Sequence, residues 1–341
     1  MNTKELIDTA AELMADGQGL LAMDESTPTC NKRFAELGIP QTVEMREAYR
    51  ELIVTTPNLG KYISGAILYD ETIRQHLSDG TSFVEALHAQ GIIPGIKVDE
   101  GAKDLPSFPG EKITEGLDGL PQRFKEYRAM GARFAKWRAV ITIGDGIPTQ
   151  SCIEANAHAL ARYAAISQDA GIVPMVEPEV LMDGSHDLDA CFAVTEQVLR
   201  AVFNQLAAYR VGLEGMILKP NMVLPGKDSP FQSDVEQIAD ATVTCFLRTV
   251  PSAVGGIAFL SGGQDAVLAS ARLNAMHVKY GARMPWPLTF SFSRAIQQPC
   301  LDLWAGNPAN IEPAQQALLH RARCNGAARE GQYGLDMEKP G

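Results

Sequence analysis

No run of the sequence approaches the roughly 20 apolar residues of a membrane-spanning helix, and the first eight residues carry acids where a secretion signal would be apolar. Cysteine is sparse. Cys30, Cys152, Cys191, Cys245, Cys300 and Cys324 form no CxxC, and none is read as standing beside a histidine at metal spacing; reduced thiols of a cytoplasmic protein are expected. The six histidines show neither HxxH nor HExxH, so no metal and no other cofactor is expected. Positive charge is also in deficit, with 30 Lys+Arg against 41 Asp+Glu and a net charge of −11. Nucleic acid and anionic membrane are thereby excluded as main partners, whereas a small anion in a local basic pocket is not. Low-complexity segments and composition shifts are absent from the 341 residues, a length that suits one barrel-sized domain.

What is present is alternation. Eight short apolar runs, at residues 19–24, 63–69, 92–98, 134–138, 172–178, 216–220, 256–261 and 288–291, are separated by stretches with apolar residues at helical spacing. Strands alternating with helices imply parallel pairing, and eight such units predict an α/β fold, a single-domain (β/α)8 TIM barrel over residues 1–325. Residues 326–341 are polar and expected to form a mobile tail. Ser151 and Glu154 have the spacing of a capping box at a helix start.

Charged or hydroxyl residues end nearly every run, and in such a barrel those ends converge on one mouth. Lys136 and Arg138 share a strand face, with Trp137 on the other. Lys97, Lys219, Asp24 and Glu177 end other runs, so the cations need acidic partners, anionic substrate groups or both. Lys219 is the nucleophile candidate, because partial desolvation among other cations favours the neutral amine that attacks a carbonyl. Glu177 and Glu179 end the adjoining strand on one side; they suit proton transfer beside that lysine or salt bridges that neutralise Lys136 or Lys219. Ser261-Gly262-Gly263 opens onto a helical stretch and Arg294 follows the eighth run, where barrels often hold phosphate. These residues point to a metal-free barrel that binds a phosphorylated carbonyl compound through lysine chemistry.

The segments LLAMDEST (20–27), GIKVD (95–99), FAKWR (134–138), VPMVEPE (173–179), LKPNMV (218–223), FLSGGQ (259–264) and LTFSFSRA (288–295) resemble, in order, the class I, Schiff-base-forming fructose-1,6-bisphosphate aldolases. The resemblance implies a lyase of glycolysis and gluconeogenesis that reversibly cleaves fructose 1,6-bisphosphate to dihydroxyacetone phosphate and glyceraldehyde 3-phosphate. It implies an imine on Lys219, acid–base work by Glu177, proton removal from the scissile hydroxyl by Asp24, charge stabilisation by Lys136 and orientation of the lysines by Glu179. Ser26, Ser261, Gly262 and Arg294 would hold the ketone-side phosphate, and Arg33, Lys97 and Arg138 the far one. Members are commonly homotetramers, so a homo-oligomer is expected, in the cytoplasm or as a processed plastid enzyme. Pro28, Thr29 and Ser293 depart from the family pattern, and the terminal tyrosine of animal members is missing; Tyr333 sits in a non-matching segment. Another imine-forming sugar-phosphate lyase or transaldolase, or a catalytically silent barrel, are the alternative readings.

Overall fold

In the computed structural model, which describes residues 3–339, all eight apolar runs become strands of one closed parallel barrel. The strands are β1 (Gly19–Ala22), β2 (Ile63–Leu68), β3 (Ile93–Lys97), β4 (Ala102–Asp104), β5 (Lys112–Thr114), β6 (Phe134–Ile141), β7 (Val173–Val180), β8 (Ile217–Leu218), β9 (Gly256–Phe259) and β10 (Leu288–Phe292). The barrel runs β1-β10-β9-β8-β7-β6-β3-β2, while β4 and β5 form a separate antiparallel hairpin. This hairpin is not legible in the sequence, because β4 is fully exposed and each strand has only three residues, too few to show a period.

Inside the barrel, Leu20, Ala22, Ile67, Phe134, Val173, Met175, Ile217 and Ala258 form an apolar cluster. Helix Thr3–Leu13 closes it from beneath with Leu6, Ala10 and Leu13. Phe134 fits because Gly95 and Gly65 face it. A Cβ on Gly95 would stand 2.3 Å from the ring, and one on Gly65 would stand 3.1 Å from it and 2.6 Å from Leu13. Along each strand the side chains alternate, so the inward positions pass from Phe134 to Lys136 and Arg138, and from Met175 to Glu177 and Glu179. Outward-facing Trp137 stacks on Tyr163 of helix Gln150–Asp169, with ring centroids 5.6 Å apart. The interior is thus hydrocarbon below and ionic above, and the change falls toward the C-terminal ends of the strands.

Two local expectations are corrected. Helix Gln150–Asp169 is capped by Thr149, whose Oγ1 accepts from Cys152 N at 3.2 Å, and not by Ser151. The carboxylate that binds the cap's own N–H is Glu111, at 2.7 Å across space, while Glu154 accepts from Gln150 on the helix surface. The domain boundary placed before residue 326 cuts the helix Ile311–Arg329, in which Asn325, Gly326, Ala328 and Arg329 are buried. Beyond it Tyr333 is buried and Glu338 pairs with Arg321, so the described tail packs on that helix; residues 340–341 lie outside the described residues.

Candidate active site

The strand ends converge on a cavity of about 840 Å3 lined by Asp24, Lys136, Glu177, Lys219, Ser261 and Arg294, among others. Register explains the meeting. Lys97 lies beside Lys136 across the β3–β6 pair, and Arg138 beside Glu177 across β6–β7. Lys219 N donates to Val176 O at 2.8 Å, which sets Lys219 next to Glu177 just where Pro220 ends β8. Asn221 then fixes the turn: its Oδ1 accepts from Val180 N at 3.0 Å and its Nδ2 donates to Thr195 Oγ1 at 3.2 Å.

The centre is a buried row of alternating charge. Lys219 Nζ stands 3.2 Å from Glu177 Oε1, Glu177 Oε2 stands 3.3 Å from Lys136 Nζ, and Lys136 Nζ stands 2.7 Å from Asp24 Oδ2. All four side chains are 10% exposed or less. Burial by itself would raise the Asp24 carboxyl, but the Lys136 ammonium, helped by Lys219 and Lys97, outweighs it and lowers the carboxyl to about 2. Burial would likewise discharge Lys136, yet Asp24, Glu177 and Asp99 raise its pKa and keep it cationic. Asp24 is therefore a carboxylate at neutral pH, able to accept a proton, and Lys136 is a fixed positive charge between two acids.

The glycine-turn side of the cavity differs in detail from the sequence reading. Gly262 and Gly263 both adopt positive φ, at 60° and 91°, and a Cβ on Gly263 would lie 3.1 Å from Arg294 Nη2. Arg294 thus stands directly over the glycine turn, and it forms no ion pair among the described residues. The helix after that turn does not contribute its N-terminus, because the Asp265 carboxylate already accepts from Val267 N and Leu268 N. Two other helix starts at the mouth lack a side-chain cap: Thr27–Glu36 after Ser26, and Arg294–Trp304 after Ser293. Their free N–H groups supply the anion-seeking ends. Ser26 Oγ lies 3.1 Å from Thr29 Oγ1, and Ser293 Oγ donates to Glu25 Oε1 at 3.0 Å, which ties the start of the second helix to the loop after β1.

Two expected placements change, those of Glu179 and Arg33, and Lys97 lines the cavity but is already paired. Glu179 is buried against Arg138, with Arg138 Nε donating to its Oε2, and does not contact the lysines. Arg138 keeps its terminal nitrogens for other partners, and its side chain is 43% exposed at the mouth. Lys97 donates to the Asp99 carbonyl at 2.6 Å and pairs with its carboxylate at 2.7 Å, so a far phosphate would have to compete with Asp99. Arg33 does not line the cavity. It pairs with Glu25 at 2.5 Å and donates to Gln298 Oε1 at 3.2 Å, while Arg50 holds the other Glu25 oxygen at 2.7 Å. Arg33→Met is therefore expected to lower unfolding stability by about 3 kcal/mol, the low end for a broken buried pair because Arg50 remains. Urea denaturation reads this loss. Its effect on KM should be smaller than that of Arg294→Ala; the reverse order would return Arg33 to the binding site.

Sequence reasoning missed four residues of the cavity wall, Tyr69, Arg74, Arg123 and Tyr127. Only the position of Tyr69 just after β2 could have signalled them, since Arg74 follows the short helix Asp70–Ile73 and Arg123 and Tyr127 lie in helix Leu120–Ala129, brought over the mouth by tertiary packing.

Residues 5–340 match the family model described as "Glycolytic: Fructose-bisphosphate aldolase class-I". This chain belongs to the class-I fructose-bisphosphate aldolase family. Among relatives of this aldolase-family chain is a "Probable fructose-bisphosphate aldolase class 1" of Xanthomonas axonopodis pv. citri, 54% identical over 98% of this chain and 99% of the other. "Fructose-bisphosphate aldolase 5, cytosolic" of Arabidopsis thaliana is 52% identical over 96% of this chain and 91% of its own length. A solved aldolase from Plasmodium falciparum, in complex with TRAP and a small-molecule inhibitor, superposes with a TM-score of 0.95 at 46% identity, covering 97% of this chain and 95% of that one. No helix among the described residues is long and apolar enough to cross a membrane.

Proposed function

We propose that this aldolase-family chain is a metal-independent fructose-bisphosphate aldolase that cleaves fructose 1,6-bisphosphate reversibly through an imine on Lys219. The observation that carries the reading is the row Lys219–Glu177–Lys136–Asp24, a buried amine 3.2 Å from a carboxylate that also borders a fixed cation. Glu177 takes a proton from Lys219, the neutral amine adds to the ketose C2 carbonyl, and the carbinolamine hydroxyl leaves as water after Glu177 returns a proton. Asp24 accepts the proton of the C4 hydroxyl as the C3–C4 bond breaks. The bonding electrons flow into the iminium, giving an enamine on Lys219 and releasing glyceraldehyde 3-phosphate. Protonation at C3 and hydrolysis then release dihydroxyacetone phosphate. The iminium is the electron sink, so the chemistry itself calls for no Lewis acid.

Arg294, Ser261, Gly262 and Ser26 suit the ketone-side phosphate, and Arg138 with Lys97 the far one. A cytoplasmic location and a homotetramer are the accompanying expectations, which cell fractionation and light scattering of the purified chain check. Borohydride reduction with dihydroxyacetone phosphate is expected to inactivate the enzyme irreversibly and to add a three-carbon phosphate adduct on the Lys219 peptide in mass spectrometry. An adduct on a different lysine, or none, would remove Lys219 from its role.

A further inference from the structure

Away from the barrel mouth, the end of the chain brings together three atoms of metal-ligating type. His320 and Cys324 stand four residues apart in helix Ile311–Arg329 and so share one face. Cys324 Sγ lies 3.6 Å from His320 Nε2, and Glu338 Oε2, from the turn Leu335–Glu338, lies 3.5 Å from the same nitrogen. The three ligand atoms lie within 4.8 Å of one another, and none of the three residues lines the mouth cavity. As hydrogen bonds these contacts are at the limit of useful length. They do match the edges of a coordination tetrahedron: with nitrogen and oxygen at about 2.0–2.1 Å and sulfur at about 2.3 Å from zinc, neighbouring ligand atoms stand about 3.3–3.6 Å apart.

A second, independent feature is the way the carboxylate is held. Arg321 Nη1 and Tyr333 Oη both donate to Glu338 Oε1, the latter at 2.8 Å, which turns Oε2 toward His320. Metal-ligating carboxylates are oriented by partners of this kind on the oxygen not bound to the ion. The Cys324 residue is buried, whereas the His320 side chain is 31% exposed, so the cluster has an inner thiol and an outer side open to water. A thiol, an imidazole and one carboxylate select a borderline-soft divalent cation over magnesium or calcium. The spacing of His320 and Cys324 corrects the sequence reading that no cysteine stands beside a histidine at metal spacing. The third ligand is invisible there, because Glu338 arrives only when the chain folds back onto the helix.

We propose that His320 Nε2, Cys324 Sγ and Glu338 Oε2 form a structural zinc-class site, with water as fourth ligand, that clamps the turn Leu335–Glu338 onto helix Ile311–Arg329. On binding, the three metal–ligand bonds form, the Cys324 S–H bond breaks and its proton passes to solvent; no electrons are transferred. The test uses the full chain, stripped with a chelator and titrated with zinc chloride or cobalt(II) chloride. One equivalent should bind, cobalt should give a thiolate-to-metal charge-transfer band in the near ultraviolet, and proteolysis after residue 329 should slow. Cys324→Ser should abolish the band, and both it and His320→Gln should weaken binding at least about 100-fold, with fructose 1,6-bisphosphate cleavage unchanged. A cobalt complex without the thiolate band, or equal affinity in the wild type and His320→Gln, would overturn the proposal. The His320 variant, altered at a partly exposed position, keeps the test decisive if Cys324→Ser fails to fold.

Discussion

Replacing Lys219 by alanine is expected to lower kcat by about five orders of magnitude, the scale seen when a covalent nucleophile is removed. Among the described residues the amine has one ion-pair partner, Glu177, and Glu177 retains Lys136 at 3.3 Å, so the variant leaves Glu177 with a cation. The fold should survive: Lys219 follows the two-residue strand β8, and its backbone N–H to Val176 O is unaffected by the side chain. Circular dichroism should match the wild type while the borohydride adduct disappears. Substrate cleavage at near wild-type rate would mean that the Lys136 amine, or another, is the nucleophile.

Asp24→Asn should separate bond cleavage from imine formation. Loss of a general base lowers kcat by about 10²–10⁴-fold, but Lys219 and Glu177 keep their 3.2 Å contact, so borohydride trapping with dihydroxyacetone phosphate should persist. Loss of trapping would instead give Asp24 a part in making the imine. The same variant has a signature in stability. The Asp24 carboxyl is lowered from 3.8 to about 2 in the folded chain, so its contribution is complete above pH 3.8 and fades as pH falls through about 2. At 1.36 kcal/mol per unit the contribution is about 2 kcal/mol. Urea unfolding should show wild type and Asp24→Asn differing by that order at neutral pH and converging in strong acid. A constant gap across that range would detach the stability effect from the Asp24 charge.

The barrel is legible in the sequence because its constraint is local. A strand sandwiched between hydrocarbon filling and outer helices must be apolar on both faces, and the only inward positions free to be ionic are those at the mouth. That is why alternation alone puts Lys136 and Arg138, and likewise Glu177 and Glu179, on one side of their strands. The family resemblance supplies the roles. What stays hidden depends on partners far apart in the chain. Arg33 has the charge of a phosphate ligand, but Glu25 and Gln298 occupy its guanidinium. Glu179 shares a strand face with Glu177, but Arg138 takes it away from the lysines. Asp265 silences a helix start that the glycine turn advertises, and Glu111 replaces Glu154 at another.

Phe134, seated against Gly65 and Gly95 above the closing helix, fills the barrel beneath the row of charges, which opens on the mouth cavity. Substrate, water and both products must all pass through it. Under the proposed imine mechanism the ketone half stays tethered to Lys219 after bond cleavage and stands behind the aldehyde in the queue. On that mechanism the expected order of release is glyceraldehyde 3-phosphate first, dihydroxyacetone phosphate last. Running backwards, the same mechanism has the ketone phosphate enter first and load the lysine before an aldehyde arrives to be joined to it.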